Sequence, residues 1–144
     1  MRTEPPEPRY FLCSLTNEVA RKMVAYYNRA LTPMGLTAQQ LMAVGLLWRE
    51  EGMSLGDFAR RAGIGKAAAV TMIDRLEAQG LVRRAPHPSD GRLNVLELTD
   101  QARALGPKVA EMMVRLERAV EEALGEDNMR TLIRALTKIR DLDL

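Results

Sequence analysis

Only one cysteine, one histidine and 4% aromatic residues occur in this chain of 144 residues, and each shortage removes a class of function. A lone Cys13 cannot build an internal disulfide framework. A hydrolytic triad or a histidine-based metal centre would have to be built on His87 or Cys13, and neither lies in a cluster of candidate partners. Gly63-Ile64-Gly65-Lys66-Ala67 ends like a phosphate-binding loop. That loop needs glycine where Arg60 stands and a hydroxyl where Ala67 stands, so the match fails. Glutamate pairs such as Glu121-Glu122 sit among arginines in a helical pattern and read as a solvated face. No enzyme, metal or cofactor is expected.

Long apolar runs are missing too. No stretch reaches the roughly 18 uninterrupted apolar residues of a membrane-spanning helix, and Met1-Arg2-Thr3-Glu4-Pro5-Pro6-Glu7-Pro8 lacks the apolar segment of a secretory signal. The expected location is cytoplasmic. Charge of one sign is scarce as well: the net charge is only +2. Its placement is more informative. Between Ser54 and Leu98 seven basic residues (Arg60, Arg61, Lys66, Arg75, Arg83, Arg84, Arg92) face five acidic ones, whereas from Thr99 onward eight basic residues face nine acidic. A nucleic-acid face, if the chain has one, belongs to the middle segment.

What is abundant is Ala, Leu, Met, Arg and Glu, the unbranched residues that lose little rotamer freedom in a helix. After a proline-rich arm, apolar residues recur at threes and fours through Leu12, Leu15, Val19, Met23, Tyr26 or Tyr27 and Ala30, until Pro33 and Gly35 end the helix. Thr37 and Gln40 have capping-box spacing and open a helix with Leu41, Val44, Leu47 and Trp48 inward. Ser54 and Asp57 cap a short helix carrying Leu55, Phe58 and Ala59. Gly63 turns the chain into another helix, from about Lys66 to Gln79, with Val70, Ile73 and Leu76 buried and Gly80 as its C-terminal cap. Two short helices around a glycine turn form a helix-turn-helix pattern. The period then becomes alternating. Val82–Ala85 and Asn94–Leu98 read as strands joined around Asp90-Gly91, two residues that tolerate positive φ. A hairpin placed directly after such a helix is a wing.

Thr99 opens a long helical stripe of Leu105, Val109, Met112, Leu116, Val120 and Leu124. Gly125 breaks it, and a last helix carries Met129, Leu132, Ile133, Leu136 and Ile139. A winged unit forms a core with about 60–80 residues, so these terminal stripes need a partner, and a second copy supplies one by twofold symmetry. The expected fold class is mostly α: a winged helix-turn-helix with a two-stranded wing and long N- and C-terminal dimerisation helices. The expected division is a flexible arm over 1–9, an N-terminal dimerisation helix over 10–36, the winged lobe over 37–98 and C-terminal dimerisation helices over 99–144.

Asp90-Gly91-Arg92, the strand end Leu96-Glu97-Leu98-Thr99, Asp74-Arg75-Leu76-Glu77 with Gly80-Leu81-Val82, and Leu36-Thr37 with Gln40 occur in one order along nearly the whole chain. That order resembles the MarR family of bacterial winged-helix regulators. The resemblance implies a homodimer whose lobes bind double-stranded DNA at a pseudo-palindromic operator, usually as a repressor, and, in many members, a small-molecule effector that weakens binding. The helix from Lys66 would enter the major groove, with Lys66, Ala67, Ala68, Thr71 and Arg75 as candidates. Family members usually place Ser, Thr and Arg there. Alanine and threonine methyls touch thymine methyls but make no bidentate contact, so backbone contacts and groove shape should carry more of the recognition. The alanines also fit an interaction module with weakened DNA binding.

Arg92 at the wing tip can reach the flanking minor groove, and Asp90 can hold its guanidinium. Arg83 and Arg84 lie on opposite sides of their strand, so at most one, here assigned as Arg84, points at phosphate. His87 is either a phosphate contact or an exposed ring. Cys13 stands 24 residues before Thr37, where the hydroperoxide-sensing branch of the family carries its reactive thiol, and Tyr27 matches one of that branch's tyrosines. The second tyrosine position is Ala38, which leaves the thiolate with fewer donors. Cys13 is therefore either a sensor or a small buried hydrophobe. Met23, Met42, Met112 and Met113 are either core filler or the flexible lining of an effector pocket.

Overall fold

The computed structural model describes residues 10–143, so the expected arm over 1–9 lies outside the described residues. The chain divides into two units after Thr99.

The first unit begins with α1 (Leu12–Leu31), which runs into a 3-10 turn at Thr32–Met34. α2 (Ala38–Arg49) starts at a complete capping box: Gln40 N–H donates to the Thr37 hydroxyl at 3.2 Å, and Thr37 N–H donates to Gln40 Oε1 at 3.0 Å. Asn28 of α1 accepts the Ala38 N–H at 2.7 Å, which secures the α1–α2 corner. α2 turns Ala38, Gln40, Ala43, Val44 and Leu47 inward. Trp48, expected on the buried face, is exposed, because it lies about 100° round the helix from Leu47.

A short strand β1 (Met53–Ser54) follows and leads into α3 (Leu55–Ala62). The Ser54 hydroxyl accepts the Asp57 N–H at 3.1 Å and caps α3. Gly63, at φ 65°, then lets Ile64 N–H reach back to the Ala59 carbonyl, a turn that α4 (Lys66–Ala78) follows almost at once. α4 ends in the same way. Gly80, at φ 73°, donates to the Glu77 carbonyl while Leu81 N–H donates to that of Leu76, and the chain leaves directly into β2 (Val82–Pro86).

β2 and β3 (Asn94–Leu98) pair antiparallel with Val82 opposite Leu98 and Arg84 opposite Leu96. The expected two-stranded wing is therefore part of a three-stranded sheet, order β1-β3-β2, with Met53 opposite Leu96. A two-residue strand carries too little alternation to stand out in a sequence. The lobe closes over Phe58, Leu31, Leu47, Ile73, Leu76, Leu96 and Val82, all fully buried. Thr99 ends the unit with its hydroxyl donating to the Gly80 carbonyl at 2.6 Å.

The second unit was expected as one long helix and a short one. It holds α5 (Asp100–Ala104), α6 (Gly106–Leu124) and α7 (Glu126–Arg140). The long stripe breaks at Leu105 because Gly106-Pro107 starts a new helix, proline being favoured in a first turn where its missing N–H costs nothing. α6 packs on α7 across Gly125, at φ 81°. Leu124, Ile133, Leu136 and Ile139 remain exposed within this unit. Among the described residues no single helix is long and apolar enough to cross a membrane.

Candidate nucleic-acid interface

α4 is amphipathic in an unusual way. Its buried side holds Ala69, Ile73 and Leu76, and its opposite side presents Ala67, Ala68, Thr71, Asp74, Arg75 and Ala78, all exposed. Methyl groups thus dominate the first two turns of the exposed stripe. The Thr71 hydroxyl donates to the Ala67 carbonyl at 3.1 Å, which commits its proton within the helix and leaves its γ-methyl as the group it can offer outward. Lys66 is exposed at the first position, about 140° round the helix from Thr71 at the centre of the stripe, so it stands beside the stripe rather than on it. Asp74 was missed by the sequence reading. Its spacing of three from Thr71 and seven from Ala67 puts it on the same stripe.

The wing departs from expectation at its tip. Neither Asp90 nor Gly91 adopts the left-handed backbone conformation. Two other bonds hold the turn: Leu93 N–H donates to the Asp90 carbonyl at 3.0 Å, and Arg92 N–H donates to Asp90 Oδ1 at 3.1 Å. Asp90 therefore fixes the backbone of Arg92 by an Asx turn instead of gripping its guanidinium as expected. His87 N–H donates to the Leu93 carbonyl at 2.8 Å and closes the hairpin. Its ring is half-buried, with Nδ1 accepting the Ser89 N–H at 3.1 Å, which leaves Nε2 as the ring's donor.

The seven basic residues of this segment fall into two groups. Arg60 pairs with Asp57, Arg61 with Glu50 at 2.6 Å, and Arg83 with its cross-strand neighbour Glu97 at 2.7 Å. Arg84, expected among the phosphate contacts, is turned onto α4 instead: it bonds Asp74 at 2.7 Å and also pairs with Glu77. The hydrogen bond to Asp74 and the charges of Glu77 and Asp74 hold its guanidinium above the ordinary arginine pKa, against the desolvation of partial burial. Lys66, Arg75 and Arg92 have no acidic partner among the described residues. These three are the free cations of the segment, two on α4 and one at the wing tip.

Cys13 is exposed on α1 in the single chain, where a buried hydrophobe was the alternative to a sensor. Tyr27 is half-buried against Tyr26, ring centroids 5.4 Å apart and edge-on. Fourteen residues of helix separate Cys13 from Tyr27, about 21 Å along the axis, so one chain does not bring them together. Of the four methionines singled out, Met42 is exposed and Met23 half-buried in the first unit, while Met112 is buried and Met113 exposed in the second.

A family model described as MarR matches residues 36–93, the span from the entry of α2 to the end of the wing loop. The HTH-type transcriptional regulator TtmR of Methylorubrum extorquens is 31% identical over 142 residues, covering 97% of this chain and 71% of that protein. The organic hydroperoxide resistance transcriptional regulator of Bacillus subtilis is 27% identical over 101 residues, covering 70% of this chain and 69% of that protein. Among solved structures, the transcriptional repressor CouR bound to a 23-mer DNA duplex superimposes with a TM-score of 0.79 at 28% identity, over 94% of this chain and 98% of that one.

Proposed function

The chain belongs to the MarR family of winged helix-turn-helix transcriptional regulators, and on that premise we propose that it is a homodimeric repressor of a pseudo-palindromic DNA operator. Membership makes it a regulator and not an enzyme. One observation carries the finer reading: four of the seven basic residues between Ser54 and Leu98 are paired with carboxylates of the same chain, and the three left over are Lys66, Arg75 and Arg92. Three unpaired cations on one helix-turn-helix and its wing tip are placed where a polyanion could meet them together.

In this reading α4 lies in the major groove with Ala67, Ala68 and Thr71 against base edges, and Arg75 and Lys66 against the groove walls. Arg92 enters the adjacent minor groove, positioned by Asp90. Alanines supply no bidentate hydrogen bonds, so discrimination rests on thymine methyls, backbone contacts and groove width. Dimerisation uses the apolar residues that each unit leaves uncovered: Leu12, Leu15 and Val19 on α1, and Ile133, Leu136 and Ile139 on α7. The solved DNA complex of the CouR repressor supports this use of the fold. A small-molecule effector that weakens DNA binding completes the regulatory reading.

The experiment is a selection from random duplexes followed by affinity measurement with competitor DNA, with the mass of the protein in solution taken by sedimentation. A dimer that recovers a twofold-related site with half-sites about one helical turn apart supports the proposal. A protein that recovers no site, and binds weakly and equally to any duplex, is the interaction module that the alanine-rich helix also allows.

A further inference from the structure

Arg84 does not behave like a residue waiting for a ligand. Its backbone belongs to β2, paired opposite Leu96, and its guanidinium reaches out of the sheet to two carboxylates one turn apart on α4. The Gly80 turn joins those two elements, Thr99 ties the end of β3 back to that turn, and Leu76, Val82 and Leu96 are buried behind it. The Arg84 pairs add a link on the solvent side that bears on the angle between the hairpin and α4. An arginine fork is suited to setting that angle, because its planar donors meet two acceptors in a defined geometry that a lysine cannot reproduce. The side chain is 28% exposed, less than either partner, so the pairs are partly shielded from solvent.

The position of Asp74 adds a second consequence. It stands on the same exposed stripe as Ala67 and Thr71, where a bare carboxylate would face a polyanion. Pairing with Arg84 neutralises it there. An amide there would be less repulsive to a polyanion but could not form the ion pair with Arg84.

We propose that Arg84, bridging Asp74 and Glu77, is a positioning residue that locks the wing to the recognition helix so that Arg92 and α4 meet the duplex as one rigid reader. This deepens the repressor reading and rests on it. Arg84 itself touches no phosphate.

The test compares wild type, Arg84→Gln, Arg84→Lys and the double variant Asp74→Asn/Glu77→Gln on the duplex recovered by selection, across a salt series. Loss of the bridge costs each lobe about threefold, in the range of a partly exposed ion pair, so a dimer loses about tenfold. The slope of log affinity against log salt stays that of wild type. The acid-to-amide double variant is the decisive arm: it removes negative charge near DNA and is still expected to bind about tenfold more weakly. Arg84→Lys recovers only part of the loss, since a point charge cannot fork.

A shallower slope by about one per lobe in Arg84→Gln would mean that Arg84 contacts phosphate. Equal or tighter binding by the double variant would mean that the bridge positions nothing. Either result overturns the proposal. Amide hydrogen exchange of free protein keeps it separable from the repressor reading. The ladder amides of β2 and β3 should exchange faster in Arg84→Gln and in the double variant. If wild type binds no DNA, the repressor reading fails, and unchanged exchange is then what would overturn the lock.

Discussion

Replacing Arg92 by alanine should change how DNA affinity depends on salt, and by an amount that the charge pairing fixes. A cation that neutralises a phosphate releases condensed counterions, so the slope of log K against log salt is about −0.9 for each such contact. The segment offers three free cations per lobe, Lys66, Arg75 and Arg92. Two lobes offer twice that number, so their side chains account for a slope of about −5.4. Arg92→Ala removes one contact per lobe and should flatten the slope by about 1.8. Between 50 and 200 mM salt the advantage of wild type over the variant then shrinks about twelvefold. Fluorescence anisotropy on a labelled operator, at five or six salt concentrations, measures both lines. Asp90→Asn is the matched control: its amide oxygen can still accept the Arg92 N–H and keep the turn. It should leave the slope alone, whereas Asp90→Ala, which frees the Arg92 backbone, should weaken binding without flattening it. Parallel lines for wild type and Arg92→Ala would refute the assignment, because a side chain that displaces no counterions is not in the groove.

Replacing operator thymines by deoxyuridine under the Ala67, Ala68 and Thr71 methyls removes only the base methyl. Affinity should fall about fourfold for each thymine in contact, and an operator indifferent to uracil at every position would reject methyl readout. Phe58→Ala empties the centre of the winged lobe, where Phe58 is fully buried, and should cost about 3–5 kcal/mol in chemical denaturation; a loss under about 1 kcal/mol would mean that the lobe does not close on this ring. Acid should loosen the start of α3. The Ser54 hydroxyl first, then Arg60, hold the Asp57 carboxyl below the ordinary carboxylate range, so its contribution is present above the unfolded value and is lost as pH falls through the lower folded one. Asp57→Asn should accordingly lower the neutral part of the melting curve slightly, leave its acid end where it is, and so flatten the limb between them; superimposable curves would contradict this.

The helices were legible because their ends carry chemistry. Thr37 with Gln40, Ser54 with Asp57, and glycines at 63 and 80 are residues whose side chains or missing side chains satisfy or release backbone groups, so they mark boundaries without help from tertiary structure. β1 was not legible. Its two residues form a strand only because Leu96 and Val95 are alongside, and pairing partners are not a local property of sequence. The break before α6 was written in Gly106-Pro107 but was outweighed by an apolar stripe that continues on both sides. At the wing tip the residues were right and the mechanism was not. Asp90-Gly91 suggested positive φ, whereas Asp90 holds the turn through its side chain and its carbonyl.

Charge is where sequence reading met its clearest limit, for a reason of distance. Arg83 pairs with Glu97 fourteen residues on, Arg61 with Glu50 eleven back, and Arg84 with Asp74 ten back. None of these has the spacing of three or four that a helix advertises. A count of seven basic against five acidic residues therefore says little about which arginines are available. Alternation along β2 correctly separated Arg83 from Arg84 but could not say that a carboxylate waits on each side. Once both are subtracted, the interface has fewer cations than the composition suggests: Lys66 beside the stripe, Arg75 towards its C-terminal end and Arg92 at the wing tip. The centre of the stripe is methyl groups. Such a surface gains affinity from phosphates at its periphery only if those peripheral groups are held at fixed separations. A protein that reads DNA this way depends more on the rigidity of the join between α4 and the wing than one whose central helix makes its own bidentate contacts.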